Sequence, residues 1–193
     1  FLKDLPSSAI KSGIGEMLHF YLQADYDLAK RLIDNYDGLL SSPDRLKEYV
    51  FASLMIKKKV IEIDEFDKNE RNLFNYGHTF GHAIESISDY SVPHGQAVTM
   101  GMDIANYLSL KLGLLNKLVF EGMHKILSKN IPSFRIREEM IDAYLKALSR
   151  DKKNVDNNFV CILTRGPCSM EKVQIPFDIN LRNLILSYVS NAS

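Results

Sequence analysis

Residues 70–85 read Glu70-Arg71-Asn72-Leu73-Phe74-Asn75-Tyr76-Gly77-His78-Thr79-Phe80-Gly81-His82-Ala83-Ile84-Glu85. The pattern predicts a helix that begins near Glu70 and runs through His78 to about Ser88. On such a helix His78 and His82, at i and i+4, share one face. Arg71 and Asn75 fall one and two turns earlier on nearly that face. A face reading Arg, Asn, His, His within an otherwise apolar segment meets solvent or an anionic ligand. Two imidazoles so spaced suit a divalent metal, or a metal ligand paired with a base. No Glu follows His78, so this is not the HExxH of metalloproteases. Glycines at 77, 81 and 95 flank the histidines and imply close approach by a ligand or by a neighbouring helix. On the residues alone an HxxxH also fits a surface or core pair, and both readings stay open at this point.

Downstream, Ser91-Val92-Pro93 breaks the pattern, and His94 opens a long helix to about Leu112. That helix is rich in small residues and Met (Ala97, Met100, Gly101, Met102, Ala105), which predicts close packing on all sides. Gly113 is its natural C-cap. Helices follow at Lys117–Ser128 and near 137–149. Phe159-Val160-Cys161-Ile162-Leu163 is strand-like, Arg165-Gly166-Pro167 is turn chemistry, and residues 170–175 form the hairpin partner. A last helix, capped by Asp178, carries Leu181, Leu184, Ile185 and Val189. Upstream, Ile10, Ile14, Met17, Leu18, Tyr21 and Leu22 mark a helix over residues 8–23. Ser42-Pro43 supplies an N-cap and first-turn proline for a helix to about Ile61, with Leu46, Val50, Leu54 and Ile61 inward. Residues 64–69 read as a polar turn. The expected fold is mainly α, a single multi-helix domain over residues 1–193 with a small β-hairpin near residues 158–175.

The bulk numbers bound the function. A chain of 193 residues, 46% hydrophobic and 25% charged, is an ordinary globular composition. At this size roughly 70% of the unfolded surface is buried, so no disulfide or structural metal is needed to fold. Lys+Arg 24 against Asp+Glu 24 leaves no basic excess for general nucleic-acid binding. Cys161 and Cys168 make neither a disulfide framework nor a CxxC pair and read as reduced, cytoplasmic and structural. No apolar run approaches the ~20 residues of a membrane span, and no signal peptide is legible. The absence of Met at position 1 suggests that the chain starts partway through a longer product. His124, on a helix expected to be exposed, has no identifiable partner.

The 70–85 segment resembles the signature of the dehydroquinate synthases. Phe1-Leu2-Lys3-Asp4-Leu5-Pro6 with Gly13-Ile14-Gly15-Glu16, then His94-Gly95-Gln96-Ala97-Val98, and Arg150-Asp151-Lys152-Lys153 fit the same family in the same order. The likeness is to the family's C-terminal helical domain. The N-terminal domain that carries the glycine-rich NAD loop is absent from this chain.

By that resemblance, Glu16, His78 and His94 are the ligands of Zn2+ or Co2+, a set that leaves positions open for substrate hydroxyls. His82 is then the acid/base and Lys152 a second catalytic group. Lys57, Arg71, Asn75, Lys152 and His19 contact substrate, with Lys153 adjacent. Two departures stand out: His19 occupies a position where the family has lysine, and Gln96 one where it has glutamate. The implied enzyme is a cytoplasmic, homodimeric lyase that uses NAD to turn a phosphorylated seven-carbon keto acid into 3-dehydroquinate and phosphate, with no nucleic-acid or membrane partner. The alternatives are another sugar-phosphate cyclase or metal-dependent polyol dehydrogenase of this fold, and a non-catalytic helical metal-binding or interaction module.

Overall fold

The computed structural model describes residues 2–64, 70–150 and 158–191. Its helices are α1 (Ser7–Ala24), α2 (Tyr26–Asp34), α3 (Tyr36–Ser41), α4 (Lys47–Ile63), α5 (His78–Ile87), α6 (His94–Lys111), α7 (Lys117–Ser128), α8 (Ile141–Ser149) and α9 (Ile179–Asn191). One antiparallel hairpin joins β1 (Asn158–Gly166) to β2 (Ser169–Pro176), with Phe159 opposite Ile175 and Thr164 opposite Met170. The mainly helical architecture with a single hairpin is therefore as the sequence predicts. Among the described residues no helix is long and apolar enough to cross a membrane.

The centre of the molecule is α6. Every residue from Gly95 to Ser109 is buried, the close packing on all sides that its small residues and methionines predict, and its polar members Gln96, Asp103 and Ser109 are hydrogen-bonded inside. α1, α5 and β1 pack on it. The α1 stripe Ile10, Ile14, Met17, Leu18, Tyr21 and Leu22 is fully interior. β1 is buried along nearly its whole length, and its Thr164 amide donates to Ser109 Oγ on α6 at 3.0 Å. The hairpin turn is tied back to α1, because the Cys168 amide donates to the Leu22 carbonyl at 2.8 Å. The two cysteines are free, Cys161 buried and Cys168 exposed.

Three expectations need correction. The helix predicted from Glu70 is broken. Residues Glu70–Asn75 form a 3-10 turn and α5 starts only at His78, because Gly77 takes a left-handed φ of 78°. Arg71, Asn75, His78 and His82 therefore do not share one helix face. Next, Ser42-Pro43 leads into a 3-10 turn, Pro43–Leu46, and Ser42 makes no side-chain cap. Finally, of the inward face assigned to α4, only Leu46 is buried. Val50, Leu54 and Ile61 are 37%, 57% and 37% exposed, and Tyr49 and Ser53 face the core. Each i+4 step over-rotates by about 40°, so 46, 50 and 54 walk off a stripe whose true period is 3.6. α2 and α3 were not foreseen. The signal for α2 was Asp25, whose Oδ1 accepts the Leu28 amide at 3.1 Å as an N-cap.

Candidate metal centre

The break at Gly77 ends the 3-10 turn and lets the start of α5 pack closely against α6 at Val98 and Met102. At the start of α6, Gly95 lies so close to α1 that a Cβ would overlap the Ser12 carbonyl, and one on Gly15 would overlap the Gly95 carbonyl. The glycines beside the histidines thus serve helix–helix approach. Ser12 Oγ also accepts the Gly95 amide at 2.9 Å, satisfying one of the free N–H groups at the head of α6. The crossing puts Glu16 of α1 against both imidazoles.

Glu16 Oε1 stands 3.3 Å from His94 Nε2 and 3.7 Å from His78 Nε2. One donor atom from each of the three lies within 4.8 Å of the others. Two ligands each about 2.0–2.1 Å from a tetrahedral ion stand roughly 3.3 Å apart, so the set fits a zinc-sized ion. Glu16 Oε1 is enclosed and accepts no well-formed hydrogen bond, which leaves a lone pair facing the gap. Burial works to raise the Glu16 carboxyl. The contact with His94 and the charges of His19, His78 and His94 outweigh it and hold the group down at about 2. The same contact with Glu16, partly offset by burial and reinforced by Glu85, lifts His94 to about 9. Burial, against the pull of Glu16, lowers His78. An ion taken up between these groups would displace the proton that His94 shares with Glu16.

The second nitrogens of the two rings are also held. His78 Nδ1 donates to the Tyr76 carbonyl at 3.4 Å, and His94 Nδ1 donates to Glu85 Oε1 at 3.1 Å. With Nδ1 the donor on each neutral ring, both Nε2 lone pairs face the gap beside Glu16 once His94 gives up its extra proton. Glu85 was not singled out from the sequence. The available signal was its place three residues past His82, on the same side of α5. His82, Glu85 and His94 form a second, overlapping group of donor atoms within 4.8 Å. His82 is exposed, with its ring 5.6 Å from His78 and stacked 5.6 Å from His94.

Lys57, on exposed α4, borders a cleft of about 180 Å³ together with Glu16, His19, Phe20, Phe74 and His78. His19 is 2% exposed and packs edge-on against His78 at 4.5 Å. Gln23 Nε2 donates to His19 Nε2 at 2.8 Å. Burial, with the His78 charge beside it, holds the ring down at about 3, so His19 lines the cleft as a neutral ring and not as a cation. Asn75 donates to the Asn72 carbonyl at 2.9 Å and borders a recess under β1 with Thr79 and Cys161. Gln96 donates to the Asn130 carbonyl at 3.2 Å. The Arg71 side chain, Lys152 and Lys153 lie outside the described residues. His124, expected to be unpartnered, donates to the buried Asp103 at 2.8 Å.

The fold and the donor set define a helical domain in which two histidines and one carboxylate from three helices have the spacing of metal ligands. The chain belongs to the 3-dehydroquinate synthase C-terminal family, whose pattern matches residues 13–154. It is 32% identical over 186 residues to a 3-dehydroquinate synthase of Clostridium tetani, covering 96% of this chain and 49% of that protein. A 3-dehydroquinate synthase of Dictyoglomus turgidum is 36% identical over 187 residues, covering 95% and 51%. The chain thus spans about half the length of these relatives. The fold is shared with 2-epi-5-epi-valiolone synthase of Streptomyces hygroscopicus subsp. jinggangensis, solved with NAD+ and Zn2+ bound (TM-score 0.78, 20% identity, 100% of this chain and 54% of that one). It is shared too with 2-deoxy-scyllo-inosose synthase, solved with carbaglucose-6-phosphate, NAD+ and Co2+ (TM-score 0.75, 20% identity, 96% and 53%).

Proposed function

We propose that this chain is the metal- and substrate-binding part of an NAD-dependent lyase. The lyase would convert 3-deoxy-D-arabino-heptulosonate 7-phosphate to 3-dehydroquinate and phosphate, a step of the shikimate pathway toward aromatic amino acids. The observation that carries this reading is the convergence of Glu16, His78 and His94 from three helices, in a chain of this family. Those three residues would hold Zn2+ or Co2+. The ion would supply Lewis acidity at the substrate hydroxyl that is oxidised and later at the carbonyl.

The protein's own groups would bind and move protons. His82, exposed beside the donor set, would accept the proton of that hydroxyl as general base. Lys57 at the cleft would present one cation to the anionic substrate. Arg71, Asn75 and Lys152 would complete the hold on its carboxylate and phosphate through charge-assisted hydrogen bonds, with Lys152 also acting catalytically. His19 would meet substrate only as a neutral wall. Hydride transfer belongs to NAD, held mainly by protein outside this chain. A cytoplasmic homodimer is the assembly that this reading entails. The neutral His19, at a position where the family resemblance calls for lysine, favours one second reading: a sibling sugar-phosphate cyclase with a differently charged substrate.

The test is metal content. The purified chain should carry one equivalent of zinc, and His78→Ala should carry none while remaining folded. A folded His78→Ala variant with a full equivalent of zinc would end this reading.

A further inference from the structure

We infer that Glu85 is a positioning residue for His94: its carboxylate takes the Nδ1 hydrogen bond and so fixes the tautomer and ring direction that aim Nε2 at Glu16 and His78. The inference rests on the metal-site reading above. Glu85 Oε1 is 3.1 Å from His94 Nδ1, and its side chain is 14% exposed against 42% for His94. The acceptor is therefore more enclosed than the ring it steers. Gln96, two residues past His94 on α6, does not replace it, because its amide is committed to the Asn130 carbonyl.

The two imidazoles are oriented unequally. His78 is steered by a neutral carbonyl two residues away at 3.4 Å, and His94 by an anion on another helix at 3.1 Å. An anionic acceptor polarises the imidazole and raises its basicity as a ligand, which a carbonyl does less strongly. His94 also heads its helix after the extended Pro93, so no preceding helical turn confines its ring. The Glu85 contact supplies that confinement across the α5–α6 seam.

The group His82, Glu85 and His94 also has the donor spacing of a cation site. A second ion there would need His94 Nδ1, which already donates to Glu85. The geometry therefore assigns Glu85 to orientation and leaves one ion at this cluster.

Zinc affinity of the wild-type chain, Glu85→Gln and Glu85→Leu, measured by competition with a chromophoric chelator, tests this. Gln keeps an acceptor but loses the charge, and Leu loses both. Affinity should fall roughly 10-fold for Gln and up to about 100-fold for Leu, with stoichiometry staying at one. The visible spectrum of the Co2+-loaded chain should shift in both variants, which a defect confined to folding would not produce. If the wild type binds one zinc and both variants bind it equally tightly with unchanged Co2+ spectra, the inference fails while the metal site stands. If the wild type binds two equivalents and the variants one, Glu85 is a ligand and the orienting role is overturned. A wild type that binds no zinc overturns both this and the metal-site reading.

Discussion

Gly15 and Gly95 meet where α1 crosses α6, with no room for a Cβ on either: one on Gly15 would overlap the Gly95 carbonyl oxygen and crowd Thr99 Oγ1. The obstacle is backbone, which cannot swing aside. Glu16 is the next residue along α1, so this crossing sets where its carboxylate falls.

Gly15→Ala should therefore cost about 1–3 kcal/mol as an overpacked contact and weaken zinc binding with it. Gly13, two positions earlier, has open space where a Cβ would stand. Gly13→Ala should be neutral or gain up to about 1 kcal/mol, the usual helix-interior difference. Denaturant unfolding and zinc titration of the two variants check the contrast; equal effects would place the crossing elsewhere.

Asp103 on α6 is buried and accepts from His124 Nδ1 at 2.8 Å and from the Tyr188 hydroxyl at 2.9 Å. The Asp103 hydrogen bond raises His124 above its ordinary 6.5, against the opposing effect of burial. A raised folded-state value means that the stabilisation is fully present below about pH 6.5 and is lost as pH rises through the folded value. With about half the ring in solvent it should stay below about 1 kcal/mol. The stability gap between wild type and His124→Gln should be widest near pH 6 and close at alkaline pH. A gap that widens with rising pH would contradict the pairing.

The chain alone should bind NAD no tighter than roughly millimolar and should form no dehydroquinate. The sheet among the described residues is one antiparallel hairpin, and the sequence has no glycine-rich strand-to-helix loop of the kind that cradles a dinucleotide. Calorimetric titration with NAD checks this, and micromolar binding would show that the cofactor is held here.

Much of this was legible because the relevant forces are local. The small, close-packing residues of α6, the Asp178 cap and the Pro167 turn all act within a few residues of themselves. What escaped were relationships that period alone cannot show. Gly77 was read as a place of close approach, but its left-handed φ splits one expected helix into a turn and α5. That split removed the shared face on which Asn75 had been placed. The i+4 run Leu46, Val50, Leu54 looked like a core stripe, yet the neighbours of α4 cover the side of Tyr49 and Ser53. Glu85 sat inside the quoted motif without a role, because its partner lies on a different helix. His124 lacked a partner for the same reason: Asp103 is 21 positions away.

Glu16 comes from α1, far along the chain from α5 and α6, the consecutive helices that carry His78 and His94. An ion gripped by all three would act as a removable cross-link, closing a long loop and drawing part of its binding free energy from folding. Loading and tertiary order would then be a single equilibrium: stripping the ion would loosen the seat of the first helix, and any change that frays that helix would register as a lost ligand.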